Sequence, residues 1–178
     1  MTKPKPTFAT IWLDGCSGCH MSFLDMDERI LDIAARADIV YSPLVDAKVY
    51  PEHVDFCLVE GAVSSEEDLH KIQFVRERTT TLISFGDCAV TANVPGMRNP
   101  IGVKPLMDRA YVENVTRNPG VPLQVVPALL PTARPVHRVV TVDVFLPGCP
   151  PSADLIYNAL VDLLEGRTPD THGARFGR

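Results

Sequence analysis

The chain has no apolar run approaching the roughly 20 residues that a membrane-spanning helix needs, so no transmembrane segment is expected. Blocks of basic charge are missing too: the 17 lysines and arginines are scattered, and the net charge is −5. Electrostatics therefore gives no reason to expect a nucleic-acid partner. The N-terminus, MTKPKPTFAT, lacks an apolar core segment and a small-residue cleavage site. No secretory signal is expected from it, and a cytoplasmic chain is. G-x-S-x-G is absent, which removes the nucleophile elbow of serine hydrolases. No G-x-G-x-x-G follows a strand, so no dinucleotide site is signalled. Internal repeats and low-complexity tracts are absent.

What is there is an ordinary globular composition, 46% hydrophobic and 22% charged over 178 residues, enough for one domain with one core. Residues 1–165 read as that domain. Residues 166–178 read as a polar tail, loose unless a partner orders it. Eight of the 16 prolines fall between Thr91 and Pro135. An irregular insertion is expected over 91–135, with one short helix near 105–115, and so long an insertion points to function or a binding surface.

Apolar runs at Phe8–Leu13, Ile39–Leu44, Val54–Val59, Thr80–Phe85 and Val139–Leu146 read as strands. Phe23, Met26, Ile30, Ala34 and Ala37 recur at helical spacing and predict a helix from His20. Ser64-Ser65-Glu66-Glu67 predicts a capping box, with Leu69, Ile72 and Val75 facing inward. Leu155, Ala159, Leu160 and Leu163 predict a helix over 152–165, stopped by Gly166. Strands alternating with helices imply an α/β fold with a parallel sheet wrapped on both faces.

Five cysteines in a reducing compartment are not expected to form disulfides. Four of them occupy equivalent places: Cys16 and Cys19 follow the first predicted strand, Cys88 the fourth and Cys149 the fifth. In an open parallel sheet such loops share the carboxyl edge, where these folds bind ligands. Each has a glycine close by: Gly15 and Gly18, Gly86, and Gly148. A cluster with four irons needs four thiolates, and C-S-G-C reaches two of its corners. Four thiolates also suit zinc, but structural zinc favours paired local knuckles, and only one C-x2-C occurs here. Cys57, between Phe56 and Leu58, reads as a buried apolar filler. Glu60 is placed near the proposed site without an assigned role. Asp14 and Asp87 read as turn formers, His20 as solvent-facing or capping, and Trp12 as packed in the first strand.

At these residues the sequence resembles the small subunit of [NiFe] hydrogenases. The matching pieces are W-L-D-G-C-S-G-C-H-M-S from Trp12, V-E-G-A-V from Val59, G-D-C-A from Gly86 and P-G-C-P-P from Pro147. The resemblance implies a flavodoxin-like doubly wound sheet with one proximal [4Fe–4S] cluster. Its ligands carry over to Cys16, Cys19, Cys88 and Cys149, with Glu60, Gly18 and Gly148 as supporting residues.

Many family members have a second cysteine-rich domain and an export signal, neither of which is seen here. A short form with only the proximal cluster resembles the small subunit of soluble NAD-reducing or bidirectional hydrogenases. In those enzymes the large subunit holds the Ni–Fe centre, and a diaphorase with FMN and further clusters reduces NAD. The resemblance thus implies an electron relay between two partners, with no centre for hydrogen on this chain. The cluster subunit of respiratory complex I is related, but has adjacent cysteines where this chain has C-x2-C. Three other readings stand beside the relay, the first being the small subunit of another [NiFe] hydrogenase, such as the coenzyme F420-reducing kind, although those usually carry additional cluster motifs. A flavin-binding module would follow from the fold, although no motif signals FMN, and a zinc-stabilised interaction domain would follow from the thiols.

Overall fold

The parallel sheet begins with β1 (Thr7–Trp12), whose Phe8 packs into one core while Ala9 and Ile11 pack into the other. The structure is a computed structural model and describes residues 4–171 and 173–177. Two short helices follow, α1 (Gly18–Leu24) and α2 (Arg29–Arg36), where one continuous helix is expected. The break falls at residues 25–28, where Asp27 takes φ +51°, a region aspartate tolerates better than most residues. It turns the second half about its axis, so Ile33 is fully buried and Ala34 is exposed.

β2 (Asp38–Tyr41) stops short of the expected Leu44. Pro43 has no N–H for a ladder, and Leu44 N–H turns instead to the Ser42 hydroxyl at 3.1 Å. β3 (Val54–Glu60) runs unbroken, covered on both faces. An unexpected short strand, β4 (Val63–Ser65), then leads into α3 (Glu66–Glu77). The capping box sits one residue later than expected, on Ser65 and Asp68, because Ser64 is engaged with Asp14. Ile72 and Val75 are buried beneath the helix, as its apolar spacing predicts.

β5 (Thr79–Phe85) is followed by three short helices, α4 (Asp87–Thr91), α5 (Asn93–Gly96) and α6 (Val103–Asp108). The last continues as a π-helical turn over Arg109–Glu113, so helix does occupy the region around 105–115. β6 (Leu129–Arg134) pairs antiparallel with β4 in a small second sheet that the prolines conceal in the sequence. β7 (Val144–Leu146) is much shorter than the expected Val139–Leu146. Residues Val136–Arg138 form a 3-10 turn, and the Asp143 carboxylate accepts Leu82 N–H at 2.8 Å where a strand carbonyl would otherwise pair. α7 (Ala153–Leu164) is capped by Ser152, and Gly166 follows it at φ +73°. Its fully buried residue is Ile156, beside the predicted Ala159 and Leu160.

Of the tail residues 166–178, residues 172 and 178 lie outside the described ones. Arg167 binds the Asp162 carboxylate, Pro169 is buried, and Gly177 N–H reaches Asp87 Oδ2 at 2.7 Å.

The five-stranded sheet is wholly parallel, in the order β2-β1-β3-β5-β7. The order reverses between β1 and β3, the switch point where doubly wound sheets bind ligands. One core lies between the sheet and α1, α2 and α7; the other lies on the α3 side. Each fully buried Ile, Leu or Phe in them contributes roughly 1.5–3 kcal/mol. Among the described residues no helix is long and apolar enough to cross a membrane.

Cys57 is wholly buried within β3 in the α3-side core. Cys57→Ser should lower stability in denaturant unfolding by about 1 kcal/mol, through a buried hydroxyl, and should leave iron content unchanged.

Candidate cluster site

The site starts from strand register. Trp12 pairs with Glu60, Glu60 with Phe85, and Phe85 with Leu146. The carboxyl ends of β1, β3, β5 and β7 are therefore level, and the loops leaving them begin side by side. Cys16 lies in the loop after β1, Cys19 in the first turn of α1, Cys88 in the first turn of α4, and Cys149 just after β7. Cys19 and Cys88 are buried, whereas Cys16 and Cys149 are exposed. The convergence expected from sequence is thus present, with two thiols inside and two at the surface.

Glycine sets how closely these loops meet. A Cβ on Gly86, at φ +81°, would run into the Cys19 sulfur. One on Gly148, at φ +144°, would come within 2.5 Å of the Pro151 backbone. Gly18 is crowded on its own loop, with a Cβ position 3.2 Å from Cys16 Sγ.

Glu60, at the end of β3, is buried and holds the first cysteine loop from below. Its Oε1 accepts Cys19 N–H at 3.2 Å and its Oε2 accepts His20 N–H at 3.0 Å. These are orphan donors of a helix start, and Ser17 at the N-cap gives α1 no side-chain cap. A carboxylate at that end is also favoured by the helix dipole. His20 is buried, 1% exposed, and not solvent-facing as its polarity suggests. Its Nδ1 contacts Glu60 Oε2 and accepts from Trp12 Nε1 at 2.6 Å, and its Nε2 meets Thr10 Oγ1 at 2.8 Å. Thr10 in turn donates to Ser42 Oγ at 2.8 Å. Trp12 is half-exposed and not packed inside its strand.

Two aspartates act as braces. Asp14 pairs by its backbone with Ala62 and takes the Ser64 hydroxyl on its carboxylate. Asp87, 3% exposed, accepts Gly148 N–H on Oδ1 at 2.7 Å, which ties the Cys88 and Cys149 loops together. Its place in G-D-C suggests only a turn, and its burial becomes visible when the strand ends meet. Ser22 donates to Pro151 O at 2.5 Å and links α1 to the Cys149 loop. Asn93 Nδ2 lies 3.5 Å from Cys149 Sγ. Ser22 closes the W-L-D-G-C-S-G-C-H-M-S segment, whereas no sequence signal singles out Asn93.

The electrostatics are those of a crowded anionic site. The Cys19 thiol is held well above its usual range, first by burial and then by the negative charge of Glu60, Cys88, Cys16 and Cys149. Cys88 is pushed up to about 11, chiefly by burial, with a hydrogen bond from the Val94 backbone N–H acting the other way. Cys19 and Cys88 are thus disfavoured as thiolates in the bare protein, a cost that a cationic centre beside them would offset. Among the described residues, no three His, Cys, Asp or Glu side chains are close enough to share one metal ion. Four thiols at one sheet edge have the donor chemistry of an iron–sulfur centre.

A family model described as "NADH ubiquinone oxidoreductase, 20 Kd subunit" matches residues 16–163. The delta subunit of the NAD-reducing hydrogenase HoxS of Cupriavidus necator is 44% identical over 171 residues, covering 93% of this chain and 82% of its own. A subunit of the F420-non-reducing hydrogenase of Methanococcus voltae is 40% identical, covering 93% of this chain and 58% of its own. This chain thus spans little more than half of that relative. A chain in the crystal structure of an NAD+-reducing [NiFe]-hydrogenase in the H2-reduced state superposes with TM-score 0.89 at 38% identity, covering 94% of this chain and 95% of its own. A [NiFeSe] hydrogenase from Desulfovibrio vulgaris Hildenborough, at TM-score 0.59 and 19% identity, shares the fold.

The burial pattern orders the thiols by reactivity. In folded protein freed of iron, iodoacetamide at neutral pH should label Cys16 and Cys149 first. Cys88 and Cys19 should react slowly, since a raised thiol pKa leaves less of the reactive thiolate. Raising the pH toward 11 should speed Cys88, and Cys57 should react only on unfolding. Peptide mass spectrometry reads the order; early labelling of Cys57 would contradict its burial.

Proposed function

The chain belongs to the family of the NADH ubiquinone oxidoreductase 20 Kd subunit, and from that premise we propose an electron-relay role in an NAD-reducing [NiFe] hydrogenase. In this reading Cys16, Cys19, Cys88 and Cys149 hold one [4Fe–4S] cluster. The observation that carries it is the convergence of four thiols on one sheet edge, with Gly86 leaving room beside Cys19 for nothing larger than hydrogen. Bound there, such a cluster would supply one-electron transfer at a potential set by its surroundings.

The chain's own residues do the holding and the shielding. Cys19 and Cys88 bury one side of the site, and Cys16 and Cys149 leave the other side facing outward. Glu60 fixes the backbone of Cys19, and Asp87 fixes the Cys149 loop to Cys88. Trp12, Met21, Val94, Met97 and Ile101 are exposed apolar residues on segments next to the cysteine loops. Exposed apolar side chains in such number call for a covering partner, and the large subunit with the Ni–Fe centre is assigned to this edge. The exposed stretch Leu123–Val126 is assigned to a second partner, a diaphorase with FMN and its own clusters. As a subunit the chain serves hydrogen:NAD+ oxidoreduction without itself binding hydrogen. A cytoplasmic location fits that role.

Two observations weigh against the zinc and flavin readings. Structural zinc favours short paired knuckles of local spacing, whereas only one C-x2-C occurs here. Flavin in this topology sits at the β1/β3 switch point, which here is filled by the Cys16–Cys19 loop and Glu60.

Anaerobically prepared protein should contain about four iron and four acid-labile sulfide per chain, with negligible zinc. Changing Cys16, Cys19, Cys88 or Cys149 singly to Ala should lose or convert that cluster, and with it hydrogen-dependent NAD reduction by the assembled complex. Two such variants with full iron and normal electron transfer would overturn the assignment.

A further inference from the structure

Immediately after the Cys88 helix the chain reverses. α4 ends on Ala92, which is buried and left-handed at φ +65° and ψ 0°, and α5 begins at the next residue. That conformation disfavours any residue with a Cβ, and no glycine stands here to relieve it. The reversal aims two N–H donors at two of the four thiols. Val94 donates its backbone N–H to Cys88 Sγ, and Asn93 donates its side-chain amide to Cys149 Sγ at 3.5 Å.

The turn is anchored on both sides. Asn93 N–H reaches Thr91 Oγ1 at 3.4 Å, and Thr91 itself donates to Asp87 O at 2.8 Å. Gly96 N–H bonds Ala92 O at 2.7 Å. Three residues further on, Asn99 is held to Ala133 of β6 by a bond in each direction, at 2.9 and 2.8 Å. The small second sheet thereby braces the turn, and the turn holds its donors in place.

We propose that Asn93 is a positioning residue that raises the reduction potential of the centre held by these thiols, through its hydrogen bond to Cys149. The inference rests on the cluster reading. Thiolates bound to iron keep partial negative charge, and that charge grows when the cluster takes up one electron. A donor on the sulfur therefore favours the reduced form, and hydrogen bonds to the sulfurs are one of the levers on cluster potential. Cys149 is exposed and, apart from Asn93, carries no hydrogen bond among the described residues, so this single amide has an outsized share of the effect at that corner.

The test uses the assembled complex and reads midpoint potential by EPR-monitored redox titration, with iron and sulfide content measured on the same samples. Asn93→Leu keeps the size of the side chain and removes the donor. It should retain full iron while its reduction equilibrium falls by about threefold to tenfold, a tenfold fall being ~59 mV for one electron. Asn93→Asp, which puts a negative charge beside the sulfur, should lower the potential further. Asn93→Gln, with a donor on a longer arm, should restore part of the shift. Ala92→Gly, which relaxes the turn and keeps both donors, should leave the potential where it is. Full iron with an unmoved potential in Asn93→Leu overturns the tuning alone. Wild-type protein without iron or sulfide overturns the cluster reading and the tuning with it.

Discussion

Parallel pairing that levels the carboxyl ends of β1, β3, β5 and β7 is the constraint on which the cysteine edge depends. A slip of one residue in any pair would turn its buried set to the other face. It would also carry a cysteine loop out of line. The register is held by two cores at once, with Phe8 and Leu58 packed on one face and Ile11, Cys57 and Val59 on the other. Packing far from the thiols therefore decides where the thiols meet.

Glu60 joins the sheet to the site. Its position at the last pair of β3 puts a carboxylate directly under the start of α1, where two backbone donors lack partners. The same carboxylate also meets buried His20, so one acidic side chain orders a loop, a helix start and an imidazole. A buried charge is costly unless it is hydrogen-bonded, and Glu60 accepts two backbone N–H groups, from Cys19 and His20. It also raises the Cys19 thiol further, after burial. Such a site is poorly suited to stand empty with its thiols ionised, and well suited to a cationic centre.

The surface repeats that incompleteness. Apolar residues flank the cysteine loops and return in the stretch after the π-helical turn, exposed in each place. Relatives of this chain are subunits of hydrogenases by name.

Much of this was readable in the chain itself. Apolar runs alternating with helical stripes announced a parallel α/β fold, because strands buried on both faces read as unbroken apolar runs and the covering helices as one-sided stripes. Four cysteines after predicted strands, each near a glycine, announced a shared site, because strand ends in such a sheet share an edge. Local chemistry did not announce what depends on distant partners. The small sheet of β4 and β6 and the shortness of β7 follow from partners far apart in sequence: β4 pairing with β6 across the proline-rich segment, and Asp143 reaching Leu82. His20 and Asp87 look like surface or turn residues by type. Burial makes them part of the site, since only the closed sheet brings Glu60 under one and Gly148 beside the other. Sequence by itself determined which residue types were available and at what intervals. Tertiary structure decided which of them touch, because contact here is set by the level at which separate strands end.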